Sequence, residues 1–255
     1  LNKFVQTREQ KAMLERRVNE KTVELRDKVG ELAQANHDLK QFAYVASHDL
    51  KTPLRTIVNY LQLLERKYKT SLDEQADEYI SFAVRSSKRL YEMINNLLHY
   101  SELGTREGSE ESLDLNIVLG NVLTTLEGFL QEKNAEVISP QLPIVKGVVA
   151  EWELLFRNLI ENGIKFNYSK NPQIKIEIKD SPGFWIMAIG DNGIGIPEEY
   201  QHQIFQIFQR LHTEEFPGSG LGLAMCKRIV EKQGGQIWLE SKPEEGTQVI
   251  FSIPK

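Results

Sequence analysis

The sequence predicts an α+β chain in which a long N-terminal helix and a helical hairpin precede a two-layer α/β sandwich. Three observations carry that expectation. Residues 4–46 contain no proline and a single glycine, Gly30, among strong helix formers. Residues 41–103 hold two amphipathic helical patterns separated by a short polar stretch. Beyond residue 112, helical periods alternate with period-two strands, the signature of helices packed on a sheet.

The elements follow in order. Val18, Leu25, Leu32, Leu39 and Ala46 recur every seven residues, while the companion positions Leu14, Lys21, Lys28, Ala35 and Phe42 are only partly apolar. A parallel two-stranded coiled coil over residues 1–40 is expected. The first hairpin helix, from residue 42 to about 68, carries Leu50, Leu54, Ile57, Val58, Leu61 and Leu64 on one broad face. The second, about 73–103, carries Ile80, Val84, Leu90, Ile94, Leu97 and Leu98. Ser71 or Asp73 is the candidate N-cap between them. A lone hairpin leaves such stripes half exposed, so a second copy completing a four-helix bundle is the expected partner.

The polar, glycine-bearing stretch 104–112 marks a domain boundary, giving a helical domain over 41–105 and a sandwich over 112–255. Helices are predicted at 115–133, 149–166 and 221–233. Strands are predicted at 136–139, 174–179, 185–189, 237–241 and 248–253, the middle pair joined across Asp180-Ser181-Pro182-Gly183.

Bulk properties exclude several classes. A net charge of -5 with interspersed signs leaves no basic footprint for nucleic acid and no polybasic patch for lipid. Cys226 is the single cysteine, so neither a disulfide nor a thiolate metal site is expected, and a reducing cytoplasm fits. No apolar run approaches the roughly 18 residues of a spanning helix. The chain opens on Leu1 in a helical pattern, which reads as a fragment whose parent is free to be membrane-anchored.

Four segments carry chemistry. In Ser47-His48-Asp49-Leu50-Lys51-Thr52-Pro53, a proline inside a strong helix removes the donor for the Asp49 carbonyl and bends the helix one turn after His48. A neutral imidazole attacks phosphorus well, and Asp49 is placed to fix its tautomer. In Asn158-Leu159-Ile160-Glu161-Asn162-Gly163-Ile164-Lys165, Asn158 and Asn162 share a helix face with Lys165 close by. Two amide oxygens and a cation suit a divalent metal and the triphosphate it bridges. In Asp191-Asn192-Gly193-Ile194-Gly195-Ile196-Pro197, the glycines allow close approach to a ligand, and Asp191 can accept from an exocyclic amine such as that of adenine. Pro217-Gly218-Ser219-Gly220-Leu221-Gly222-Leu223 is a glycine-rich loop opening a helix, ready to receive phosphate.

Their order resembles that of the sensor histidine kinases, with Ile204 to Leu211 similar to the F box between the glycine boxes. The resemblance spans about residues 36–254, and segments such as Phe42-Ala43-Tyr44-Val45-Ala46-Ser47-His48-Asp49-Leu50 are similar to kinases coupled to phytochrome or PAS sensors. It implies a GHKL-type ATPase sandwich, with ATP and Mg²⁺ as ligands. His48 is then the phosphoacceptor, Asp49 the base, and Thr52 a residue positioning water for dephosphorylation of a response regulator's receiver domain. Asn158 and Asn162 would hold Mg²⁺, Lys165 the phosphates and Asp191 the adenine. Phe166, Gly193, Gly195, Ile196, Phe208, Gly218, Ser219, Gly220, Leu221 and Gly222 would surround the nucleotide, with 198–218 as its lid. A homodimer and an upstream sensor domain are implied partners. Related ATPases of the gyrase and chaperone type carry Glu where this chain has Asn158, and an amide cannot deprotonate water, which disfavours a plain ATPase. Two departures stand out: Gly163 replaces the usual Ala, weakening that helix by roughly 1 kcal/mol, and residues 147–150 lack the acidic residue often found before it.

Overall fold

The computed structural model describes residues 50–68, 73–103, 111–211 and 219–255, with positions 19, 21, 22, 25, 26 and 28–30 as helical points near the N-terminus. The chain separates into two compact units, Leu1–Ala46 and Ser47–Lys255. Most of the expected coiled coil, including Val18, Leu32, Leu39 and Ala46, lies outside the described residues.

In the second unit, helix α1 (50–68) runs through Pro53 without interruption. Helix α2 (Glu74–Glu102) begins at Asp73, whose Oδ1 accepts from the Ala76 N–H at 2.7 Å. Of the two candidate caps, Asp73 is the one used. The helices run antiparallel: Lys51 sits 5.8 Å from the Tyr91 ring centroid, and Ser81 Oγ donates to Glu65 Oε1 at 3.3 Å near the other end. Leu54, Val84 and Ile94 are buried in the hairpin.

The α/β layer follows. Strand β1 (Glu111–Asp114) pairs antiparallel with β3 (Ile144–Gly147) in a small separate sheet that periodicity does not disclose, because each strand turns only one apolar side chain inward, Leu113 or Val145. Helix α3 (Leu115–Lys133) is capped by Asp114 and ends at Asn134, whose left-handed φ of 50° suits asparagine. Strand β2 (Glu136–Ile138), helix α4 (Val149–Lys165), strands β4 (Gln173–Ser181) and β5 (Phe184–Asp191), the single turn α5 (Glu198–Gln201), helix α6 (Gly222–Lys232), and strands β6 (Ile237–Lys242) and β7 (Gly246–Pro254) complete it.

The main sheet has order β2-β4-β5-β7-β6, antiparallel except for the parallel β2-β4 pair. Alternation sets its faces: Ile174 and Ile176 turn inward with Met187 and Ile189, while Lys175 and Glu177 form an exposed ion pair. Against that inner face lie α4 and α6, with α3 packed on α4. Trp152, Phe156, Ile160, Ile174 and Phe251 are fully buried between the layers.

Residues 147–150 hold no acidic side chain, and the first one of α4 is at 151. Glu151, in the first turn of α4 and 7% exposed, pairs with Lys232 at the end of α6 at 2.8 Å. The pair ties the two helices that carry the site.

Candidate functional site

One cavity of about 360 Å³ opens between α4, the end of β5 and the start of α6. Its position follows from packing. The apolar face of α4 is spent on the core, so the edge bearing Asn158, Asn162 and Lys165 is left lining the cavity. Burial lowers the Lys165 ammonium's pKa, an effect opposed by the charges of Glu161 and Glu92. Glu161, also on the wall, is raised by burial against the pull of Arg157 and Lys165.

Strand β5 delivers Asp191 to the cavity floor. Its Oδ1 accepts from the Gly193 N–H at 2.8 Å and the Thr247 N–H at 3.2 Å, so one oxygen is fixed by backbone. Burial nevertheless pushes this carboxyl up to about 6. The loop beyond is pinned on both sides. Ile194 N–H donates to the Phe166 carbonyl at 3.0 Å, and Ile196 N–H to Ser241 Oγ at 2.8 Å. Gly195, at φ +69°, lies against the Lys242 carbonyl, where a Cβ has no room.

Gly163 is explained by the same packing. A Cβ there would stand 2.9 Å from Asp191 Cβ and 2.5 Å from Ile174 Cδ1. The residue that weakens the helix by its sequence lets Asp191 close against α4.

At the opposite end, Ser219 and Gly220 lead into α6, which begins at Gly222 with its N-terminal dipole end toward the cavity. Phe208 N–H donates to the Gly220 carbonyl at 3.0 Å, closing the base of the intervening loop, with Phe208 at φ +63° and Gly220 at +72°.

The structure thus gathers Asn158, Asn162, Lys165, Phe166, Asp191, Gly195, Ile196, Ser219, Gly220 and Gly222 around one cavity. Three other expected residues are not on it. Gly193 acts through its backbone on Asp191, Leu221 is fully buried, and Phe208 is 48% exposed. Thr52 sits exposed on α1. His48, Asp49 and Gly218 lie outside the described residues.

Sequence reasoning missed Thr247, Arg210, Glu92 and Asn96, all lining the cavity. Arg210 carried a signal in the Phe208-Gln209-Arg210 segment; Thr247, one residue past a turn glycine, carried none.

The donor set tests what the cavity can hold. Asn158 Nδ2 is buried without an oxygen or nitrogen acceptor, its amide lying beside the Cys226 thiol, which burial pushes up to about 12. Gly222 leaves the other end of that amide clear, since a Cβ there would sit 3.2 Å from Asn158 Oδ1. Among the described residues no group of three acidic, histidine or cysteine ligands could hold a metal alone. Two amide oxygens fit Mg²⁺ only as it is usually met with phosphates, which supply the remaining ligands.

Comparison with known proteins agrees with this arrangement. Residues 38–106 match the His Kinase A (phospho-acceptor) domain, and residues 147–255 match the family of histidine kinase-, DNA gyrase B- and HSP90-like ATPases. The chain is 44% identical over 224 residues to the phytochrome-like protein Cph1 of Synechocystis, covering 88% of this chain and 30% of that protein. It is 31% identical to the circadian input-output histidine kinase CikA of Synechococcus elongatus, covering 99% of this chain and 35% of the relative. The chain spans about 30% of the length of Cph1 and of two further cyanobacterial phytochromes that it matches. The catalytic domain of the histidine kinase ThkA superposes with a TM-score of 0.51 at 28% identity, covering 58% of this chain and 97% of that one. Full-length ShkA, solved in complex with AMPPNP, gives 0.64 over 84% of this chain and 45% of its own at 23% identity, a likeness of fold. Phosphoacceptor helices and an ATPase-type layer thus follow one another along a single polypeptide, and the chain belongs to the sensor histidine kinases of two-component systems.

Proposed function

We propose that this chain moves the γ-phosphoryl group of ATP onto His48 and passes it to an aspartate on a response regulator's receiver domain. The observation that supports this most is the convergence of Asn158, Asn162, Lys165 and Asp191 on one cavity, in a chain whose matched phosphoacceptor domain contains His48.

Each group has work to do. Asp191 accepts from the adenine amine while Gly193 and Thr247 hold its other side. Lys165 and the N-terminal end of α6 take the phosphates. Asn158 and Asn162 are the residues that would hold Mg²⁺, which when bound screens the phosphate oxygens and lowers the barrier to transfer. At position 158 an amide cannot deprotonate water, so ATP waits for the imidazole. Asp49 keeps the His48 tautomer that leaves the attacking nitrogen unprotonated. Thr52, one helical turn on, aligns water for the reverse service, dephosphorylation of the regulator.

The division we infer is a signalling coiled coil over 1–40, a dimerising phosphotransfer domain over 41–105 and the catalytic domain over 112–255. A homodimer in the cytoplasm, driven by a sensor domain upstream, is the assembly this implies. Incubation with ATP labelled at the γ-phosphate and Mg²⁺ tests the reading. Acid-labile, alkali-stable label that disappears in His48→Gln is expected; label undiminished in that variant refutes it.

A further inference from the structure

Helix α2 belongs to the hairpin, yet its C-terminal half is seated on the α/β layer. Leu97 and Tyr100 pack against the main core and Leu103 is part of it. The Arg228 guanidinium of α6 lies 4.7 Å from the Tyr100 ring centroid. One turn up, Asn96 Nδ2 donates to Ser219 Oγ at 2.9 Å, and one turn further Glu92 reaches the rim of the cavity that also holds Lys165. Spacings of four place Glu92, Asn96 and Tyr100 on one helix face. An acid and an amide from the hairpin therefore stand at the end of the cavity where a glycine loop and a lysine await phosphate.

The two claims on that end conflict. Ser219 Oγ already accepts from Asn96 and, at 3.4 Å, from the Leu221 N–H. A polyphosphate would need the Ser219 loop and Lys165 and would set its own negative charge beside Glu92, where like charges repel.

We propose that this face of α2 is a clamp displaced by nucleotide: Glu92 and Asn96 hold the phosphate end of the site, and a bound triphosphate breaks the Asn96–Ser219 contact. The inference rests on reading the cavity as the nucleotide site. By linkage the effect runs both ways, so any movement that presses α2 onto the layer lowers affinity for nucleotide, and any that lifts it raises affinity. The hairpin thereby reports on the catalytic site without touching the reacting atoms.

Two measurements on the full chain test it. In Asn96→Cys/Ser219→Cys the natural Cys226 is fully buried, so the new pair are the reactive thiols. Oxidative cross-linking is expected in the absence of nucleotide and to fall with non-hydrolysable ATP analogue and Mg²⁺; a yield that holds or rises with the analogue overturns the clamp. Should the double variant fail to fold, Glu92→Gln, on an exposed position, gives the same answer by calorimetric titration. Analogue affinity should rise roughly two- to fivefold, the modest range suited to a solvent-exposed charge. Unchanged or weaker binding there overturns the clamp alone. Absence of binding by the natural chain overturns the nucleotide reading itself.

Discussion

The hairpin and the α/β layer are built from similar proportions of apolar residues and finish in different states. Inside the layer, Trp152, Phe156, Ile174 and Phe251 are at or near zero exposure. On the hairpin, Leu50, Ile57 and Leu64, seven residues apart, are 55%, 50% and 43% exposed, and Phe82 and Leu90 on α2 stand out similarly. A sheet with helices across it closes its own core. Two helices can bury only the facing stripe, here Leu54, Val84 and Ile94, and leave the adjacent stripe exposed. The layer buries its apolar faces within one chain, with the end of α2 contributing Leu103, and the rest of the hairpin leaves a stripe open.

Removing a side chain from the closed core should therefore cost most. Phe156→Ala, at a fully buried position, is expected to lower the stability of the layer by about 3–5 kcal/mol. Denaturant titration followed by tryptophan fluorescence would read this, and a loss under about 1 kcal/mol would mean the core is not closed. The hairpin should answer differently. A charge on its open stripe, Ile57→Glu, should leave the layer's melting intact but weaken self-association about 100-fold or more, the scale on which a buried unpaired charge acts. Light scattering across a dilution series decides it: an unchanged dimer, or a natural chain that is monomeric throughout, breaks the comparison.

The same contrast explains what the sequence disclosed. Long elements with many periods, α2, α4 and the β4-β5 hairpin, were legible because each repeats its pattern several times. The pair β1 and β3 was not, since each turns a single apolar side chain inward, Leu113 or Val145, and Ile144 breaks the alternation by standing exposed. At the site, Asn158, Asn162, Lys165 and Asp191 were readable as motif residues close in sequence. Thr247, Glu92 and Asn96 reach the cavity only through tertiary packing, from a strand and a helix distant in the chain. Nothing local marks a side chain whose neighbours are set by the fold.

Gly163 was read for its local effect, and there the tertiary one is larger. Helix propensity alone predicts that Gly163→Ala stabilises by roughly 1 kcal/mol. Ile174 Cδ1 can swing away from the added methyl, but Asp191 Cβ is anchored at the end of β5. Overpacking at about 1–3 kcal/mol should outweigh the helical gain. The variant is expected to melt lower and, on the role proposed for Asp191, to bind nucleotide more weakly, because the strain falls on that carboxylate. A higher melting temperature with unchanged binding would show that the layer yields as easily as the hairpin surface.

The smallest effect concerns the protonation of that carboxylate. Burial raises Asp191 from its ordinary 3.8 to about 6, so between those values the native layer holds a proton that the unfolded chain has released. Its contribution to stability is thus full below about pH 3.8 and is lost as pH rises through 6. Adenine, held by Asp191 as we propose, would work in the opposite direction, because an amine donates to the ionised form and so draws the proton off. Binding near pH 6 should then release protons, visible as a dependence of the measured heat on the ionisation enthalpy of the buffer, and affinity should be about twofold weaker at pH 6 than at pH 7.5. Asp191→Asn keeps the shape and removes the titration, so both signatures should vanish in it. Signatures that persist in that variant would place the titrating group elsewhere on the wall, with Glu161, also raised by burial, the next carboxyl to replace.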